Sequence, residues 1–394
     1  MKNKERTFMI LGIMGFLANG DNYAAAPLLL NISKDLNLTI SSAAMSVTAY
    51  MLAFGFFTLL FGPLSDRFGK VKIINIAALG TSIFSILGAF TFNLPSLIFF
   101  RAMNGAFGAG IFPVTIALIG ESYDVDHRQK AIGKLLGLMF LGAASASAIG
   151  GAIAYAGSWR LVYFLYGLGE LVLSIIIFKV LERDTPVVKK LNIFSAYKSA
   201  LTNYRFMRIV TLILLVGFTV LGSFTYSGKL IQEITGFNVL IVGLILSAFG
   251  IGTVFGGRIA PKLRKKLGYK FLLSAGAIGS VSLFLLSSSK NVLVLVISLL
   301  FFGISFICLQ STLLLVVQEK LSKMKGTAMS MASFNLFVGG AIGTSVNGIV
   351  IKSYGVTRIF SNASYIILGI GILSCIFVAK FEMRKKESFY KIEK

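Results

Sequence analysis

The sequence predicts an all-α integral membrane protein, with twelve transmembrane helices arranged as two six-helix pseudo-symmetric bundles. Three observations predict it. The 394-residue chain is 56% hydrophobic and only 13% charged, with a mean hydropathy of +0.84. Soluble domains run about 45–50% apolar and about 25% charged, so the solvent this chain needs is a bilayer. Its apolar residues fall into twelve runs, each near the ~20 residues that cross a hydrocarbon core. Its Lys and Arg residues sit in the gaps between those runs, alternately dense and sparse.

The first six runs are Thr7–Leu30, Ala43–Pro63, Ile73–Phe92, Ser96–Gly120, Leu135–Ala156 and Trp159–Leu181. The second six are Phe206–Gly228, Val239–Ala260, Phe271–Ser289, Val292–Val317, Gly326–Ile351 and Ile359–Ala379. None alternates with a strict period of two, which argues against a β-barrel. The first run exceeds the roughly 7–15 apolar residues of a signal peptide, so it reads as a retained helix rather than one cleaved near Ala24–Ala26.

The formal net charge of +23 raises nucleic acid as a partner, but position decides against it. A nucleic-acid binder clusters its cations on a soluble face among aromatic residues. Here, with the N-terminus placed inside, 30 of the 38 cations fall in inner segments and 6 in outer ones. Arg101 and Lys179 lie within runs. The asymmetry places both termini in the cytoplasm of a multi-pass plasma-membrane protein, and the compact loops hint at a bacterial one. Cys308 and Cys375 both lie in apolar runs, so neither a disulfide framework nor metal-ligand spacing is expected, and no cofactor.

The longest gap, 182–205, divides the chain into bundles at 1–181 and 206–394 joined by a cytoplasmic linker. The halves echo each other. Leu64-Ser65-Asp66-Arg67-Phe68-Gly69 follows the second run, and Leu263-Arg264-Lys265-Lys266-Leu267-Gly268 follows the eighth, 199 residues on. Repeats with an even number of helices share one orientation, and parallel repeats place a substrate site near the midplane between them. Glycines such as Gly105, Gly108, Gly150, Gly151, Gly339 and Gly343 are read as close-packing positions between helices.

The segment Gly62-Pro63-Leu64-Ser65-Asp66-Arg67-Phe68-Gly69-Lys70-Val71-Lys72 resembles the signature loop of the major facilitator superfamily, and it stands after the second run, where that family carries it. Arg101 with Gly105 and Gly108 is similar to the family's fourth-helix motif. Gly142 with Gly150-Gly151 resembles its fifth-helix antiporter motif, although Ala146-Ser147 replaces the family's Gly-Pro pair. Asp21 followed by Ala26-Pro27 resembles the first-helix motif of the drug:proton antiporter branch. The resemblance implies the major facilitator fold, a cavity lined by helices one, four, seven and ten, and helices three, six, nine and twelve outside. It implies a conformational switch at Gly62, Asp66, Arg67, Gly69, Lys70 and Glu121. There Asp66 would meet the start of span eleven near Gly326, and Arg67 or Lys70 would pair with Glu121.

Three ionisable residues lie well inside runs: Asp21, Arg101 and Glu170. A charge at mid-helix costs at least about 2.5–3.5 kcal/mol, so each is a functional candidate. Asp21 and Arg101 lie at depths of roughly 13 and 8 Å from the outer ends of spans one and four. The difference is within reach of an arginine side chain, so the two are expected to pair if those spans adjoin. Such a pair serves proton coupling or is a buried structural pair. Glu170, on a helix the resemblance puts outside the cavity, is read as a secondary site for proton coupling or cationic substrate binding, or as a structural hydrogen-bonding group. Asn19, Asn22, Tyr23, Asn104, Tyr226 and Gln310 are candidates for the substrate cavity or for polar contacts between helices. The second half has no intramembrane charge, so its share of the cavity is expected to be apolar and aromatic, suited to lipophilic substrates. His127 is expected in a solvated loop.

No phosphate-cradling Gly-x-x-x-x-Gly-Lys-Ser/Thr segment points to an ATP-driven pump, and no embedded Ser–His pair or supported carboxylate pair points to an enzyme. The resulting expectation is a monomeric, proton-coupled secondary transporter that exports small lipophilic compounds by alternating access. Its partners are a small-molecule substrate, protons and the bilayer. Efflux of sugars or other metabolites, or lipid flipping, is the alternative on the same fold.

Overall fold

The computed structural model describes residues 2–123, 125–182, 184, 193–320 and 325–390. Parts of the 182–205 linker, with Arg183, Lys189 and Lys190, lie outside the described residues, as do Lys323 and residues 391–394. Among those described there are sixteen helices and no strand. They are α1 (Lys2–Tyr23), α2 (Ala25–Asp35), α3 (Ile40–Phe68), α4 (Lys70–Ala89), α5 (Leu94–Gly108), α6 (Ile111–Ser122), α7 (Val125–Ala156) and α8 (Trp159–Val180). Then follow α9 (Ile193–Thr202), α10 (Tyr204–Phe224), α11 (Ser227–Thr235), α12 (Val239–Leu267), α13 (Lys270–Ser288), α14 (Val292–Lys320), α15 (Lys325–Tyr354) and α16 (Val356–Tyr390).

Eleven of the expected runs are covered by helical segments long and apolar enough to cross a membrane. The first run is covered by α1 and α2, one span broken at Ala24. Pro27 causes the break. It has no N–H to donate to the Tyr23 carbonyl, and its ring crowds that turn. Pro113 does the same between α5 and α6, beside the Gly108-Ala109-Gly110 junction. The seventh span breaks between α10 and α11 at Thr225–Tyr226. Large apolar side chains such as Phe90, Phe178, Val281 and Tyr365 stand exposed on the outer faces. An apolar rind of this extent is what lipid covers.

Helices run further than their apolar runs. The segment after the second run, expected as a loop, is helical through Phe68, and only Gly69 leaves the helix, at φ 91°. Gly62, expected to help make the turn, is therefore a helical residue, and Gly69 alone takes the left-handed conformation that glycine adopts without strain. Its counterpart Gly268 also has positive φ, at 56°. The helices they close, α3 and α12, are each 29 residues long and begin after side-chain caps, Thr39 and Asn238. His127, expected in a loop, is exposed but stands in the first turn of α7.

The most extensive packing between the N-terminal and C-terminal helices is of α3 on α15 and of α7 on α12. Backbones touch in both. A methyl on Gly151 of α7 would fall 2.6 Å from the Val239 carbonyl of α12, and one on Gly243 would collide with the Ser147 carbonyl. The Phe54 ring of α3 lies tilted against that of Phe337 of α15, their centroids 4.1 Å apart. Nearer the start of α7, Gly133 and Gly137 have open space beside them. On the side carrying Asp35, α2 and α11 close over the centre, Gly228 lying against the Ala26 carbonyl.

Candidate functional site

At the centre of the N-terminal helices α1, α3, α4, α5 and α8 converge on Arg101, which is 1% exposed. It projects from α5, started by the Asn93–Ser96 capping box and by Pro95 in the first turn. Arg101 Nη1 donates to Asp21 Oδ1 at 3.2 Å and to Asn104 Oδ1 at 3.1 Å. Asn104 Nδ2 in turn donates to the Thr81 carbonyl at 3.0 Å and to Thr81 Oγ1 at 3.1 Å, tying α5 to α4. The guanidinium lies between two rings, 4.6 Å from the centroid of Tyr50 and 4.8 Å from that of Tyr163. A cation dry on both faces gains from both ring quadrupoles.

Close helix approach makes this geometry available. A methyl at Gly105 would collide with the Tyr50 carbonyl, so the glycine lets α5 lie against α3 and bring the Tyr50 ring over Arg101. Gly142 does the same between α7 and the Phe16 carbonyl of α1. Asp21 is 1% exposed and sits one turn before the Pro27 break.

Glu170 projects from α8 and is fully buried. Neither of its oxygens has a hydrogen-bond partner among the described residues, nor do Nε and Nη2 of Arg101 or the hydroxyls of Tyr163 and Tyr166. The expected structural hydrogen-bonding role for Glu170 is therefore not what the structure shows. Although α8 packs on the periphery, this side chain turns inward.

The remaining candidates separate. Asn22 and Tyr23 line a cavity of about 20 Å³, room for a water or two, with Met51, Leu221, Phe224 and Phe337 among its other walls. It lies between the two halves, and its C-terminal walls are Leu221, Phe224 and Phe337, with Thr225 as the one polar residue among them. Its walls come from α1 and α2 (span one), α3 (span two), α10 (span seven) and α15 (span eleven), so this void shares spans one and seven with the expected cavity lining. Asn19 donates to its own helix at the Gly15 carbonyl, 2.8 Å away. Tyr226 is fully buried, and its hydroxyl donates to the Thr344 carbonyl at 2.9 Å, so it fastens the seventh span to the eleventh rather than facing the cavity. Gln310 is partly buried on α14.

On the linker side, Lys70 Nζ is buried and lies 3.0 Å from Glu121 and 3.8 Å from Asp66. Of the two cations expected to pair with Glu121, it is Lys70 that does. Arg67 instead stacks on Phe68, 5.1 Å from the ring centroid. Asp66 faces Lys70, and no bond from it to the Gly326 end of α15 occurs among the described residues. There the contact is Gly62 against Ser330. The helix N-terminus at this turn is capped by a residue the sequence did not single out. Asp184 accepts from the backbone N–H of Lys70 at 2.6 Å and of Val71 at 2.9 Å. Tyr50, Thr81, Tyr163 and Tyr166 were likewise unmarked, since a tyrosine or threonine in an apolar run carries no signal of what it faces.

A buried ion pair within the N-terminal helices, on a proline-broken span that also lines the void between two related halves, suits a secondary transporter. The chain belongs to the Major Facilitator Superfamily, whose family model matches residues 11–344. It is 26% identical over 366 residues to the uncharacterized MFS-type transporter YbcL of Bacillus subtilis, covering 89% of this chain and 90% of that protein. It is 26% identical over 348 residues to the multi-drug resistance efflux pump PmrA of Streptococcus pneumoniae, covering 85% and 84%. Its fold superposes on the nucleoside transporter NupG with a TM-score of 0.77 at 15% identity, covering 95% of this chain and 100% of that one.

Proposed function

We propose that this transporter exports small lipophilic compounds in exchange for protons, with Asp21 as the proton carrier and Arg101 as the group that sets its charge. The observation that carries the reading is the 3.2 Å contact of Arg101 with Asp21 in a site closed to solvent. A buried carboxylate is tolerated only while a cation faces it or a proton neutralises it. Any movement of α1 against α5 exchanges one condition for the other, which links protonation to conformation. Proline breaks in both spans supply places to bend. The apolar wall offered by Leu221, Phe224 and Phe337 suits a substrate held by area burial, and resemblance to an efflux pump supports the direction.

In this reading residues 1–181 and 206–394 are the two bodies that rock about the cavity, linked through 182–205. The cation-rich ends, with both termini, face the cytoplasm of a bacterial cell membrane. The segment carrying Gly62, Asp66, Arg67, Gly69 and Lys70, latched to Glu121, is the conformational switch. The test is Asp21→Asn in proteoliposomes with ethidium among a panel of lipophilic dyes. Gradient-driven accumulation should be lost while dye binding is partly retained. Undiminished driven accumulation removes Asp21 as the carrier.

A further inference from the structure

We infer that Glu170 is a second proton-binding group, and that Asp21 and Glu170 hold one proton between them across Arg101. The inference rests on the reading of Asp21 as a proton carrier and extends it to a residue on a different helix.

The cluster contains two carboxyls and one guanidinium, all 1% exposed or less. Ionised throughout, it would carry a net negative charge in a dry site. With one proton it is neutral, and burial of net charge is what the interior opposes most strongly. Glu170 belongs to this cluster electrostatically, since its charge acts on Asp21 and Arg101 and on Tyr50 and Tyr166. The helices are held at that separation by Gly20 of α1 lying on the Tyr166 ring and Gly169 of α8 lying on Leu17.

The hydrogen-bond inventory favours one carboxyl over the other as the proton's place. Asp21 accepts from Arg101, whereas Glu170 accepts from nothing among the described residues. A carboxylate without a donor or a bonded cation is the costly form, so the proton is on Glu170. Arg101 meanwhile keeps Nε and Nη2 unspent. When Asp21 takes up a proton, its claim on the guanidinium weakens. Arg101 can then turn its free donors to Glu170, which releases its own proton and becomes the counter-ion. One proton has entered at Asp21 and one has left Glu170, and the cluster is neutral before and after.

Every element packed around Glu170 fits this assignment. From α1 comes Asp21, from α5 Arg101 and from α3 Tyr50. Tyr163 and Tyr166 share its own helix. Lys70 and Lys72 of α4 and His127 and Lys134 of α7 stand at the linker ends of those helices, and Tyr155 at the far end of α7.

The test is infrared spectroscopy of the full chain in lipid vesicles at neutral pH, following the C=O stretch of protonated carboxyl groups. The chain carries glutamate labelled with carbon-13 at the side-chain carboxyl. Glu5, Glu121, Glu182 and Glu233 are solvent-exposed, and Glu170→Gln separates the Glu170 band from that of any other glutamate. The wild type should show a protonated-carboxyl band that the label displaces. Glu170→Gln should lose it. Asp21→Asn should lose it too, because Glu170 is then the sole counter-ion of Arg101. Absence of a label-sensitive band in the wild type, which needs no substitution and no refolding control, overturns the inference. So does a glutamate band that persists undiminished in Asp21→Asn. Both results are independent of dye accumulation, so the exchange reading can fail or stand separately.

Discussion

Arg101 Nη1 reaches Asp21 Oδ1 at 3.2 Å from a guanidinium held between the rings of Tyr50 and Tyr163. One nitrogen serves both Asp21 and Asn104, and the planar group fixes its direction. The contact therefore depends on shape as well as charge. Arg101→Lys keeps the charge and loses the plane, the fork and most of the stacking. We expect it to slow dye export at least about tenfold, equivalent to about 1.4 kcal/mol. Export at the wild-type rate in proteoliposomes would mean that charge alone suffices.

Close packing of α1 on α7 is the next requirement. A methyl at Gly142 meets the Phe16 backbone, which has no room to yield, so Gly142→Ala should cost about 1–3 kcal/mol. Gly133 on the same helix has nothing within 4 Å, and Gly133→Ala should be neutral or slightly stabilising, by at most about 1 kcal/mol. Thermal unfolding of the two variants in detergent checks the contrast.

The switch on the linker side has its cation buried and its carboxylates exposed. Lys70 is 2% exposed, against 60% for Glu121 and 52% for Asp66. Removing Glu121 leaves a buried ammonium short of one partner, whereas removing the ammonium leaves two carboxylates already in water. Glu121→Gln should therefore destabilise more than Lys70→Met, the former by about 1 kcal/mol. The reverse order in unfolding temperature would contradict this account of the latch.

Beyond the apolar run of span one, Asp35 binds the side chain of Arg160, which also donates to the Thr91 carbonyl at 2.8 Å. The hydrogen bond from Arg160, helped by one from Trp159, holds the Asp35 carboxyl below its ordinary range against a smaller opposing effect of burial. A depressed carboxyl contributes stability that is full above the ordinary carboxylate range and is lost as pH falls through the lowered value. Unfolding temperature should accordingly decline on acidification below that range, and Asp35→Asn should flatten the decline. An unchanged acid limb in Asp35→Asn would show that the contact contributes nothing there.

Much of this was legible in the sequence, for physical reasons that also explain what was not. Hydropathy marks spans because lipid imposes a minimum apolar length, so the runs fall where the helices are. Their ends do not follow, because a helix continues past the hydrocarbon edge, as α3 does through Asp66 to Phe68. Asp21 and Arg101 stood out because charge in a span is costly, and their depths allowed a pair provided that spans one and four adjoin, which the structure bears out at 3.2 Å. Glu170 stood out by the same cost, but its inward direction depends on which face of α8 meets α1. Tyr50 and Tyr163 were invisible because aromatic residues are common in apolar runs and their faces are assigned only by packing. Asp184 was invisible because its partners, the N–H groups of Lys70 and Val71, lie 114 and 113 residues away.

The central claim is that export is driven by protons passing through Asp21. Its most direct test is the full chain in liposomes under an inside-acid gradient, with a pH-sensitive dye inside and lipophilic compounds added outside. The account predicts proton efflux evoked by transported compounds and lost in Asp21→Asn. Compound movement without any proton signal, or evoked efflux that persists in Asp21→Asn, would contradict it.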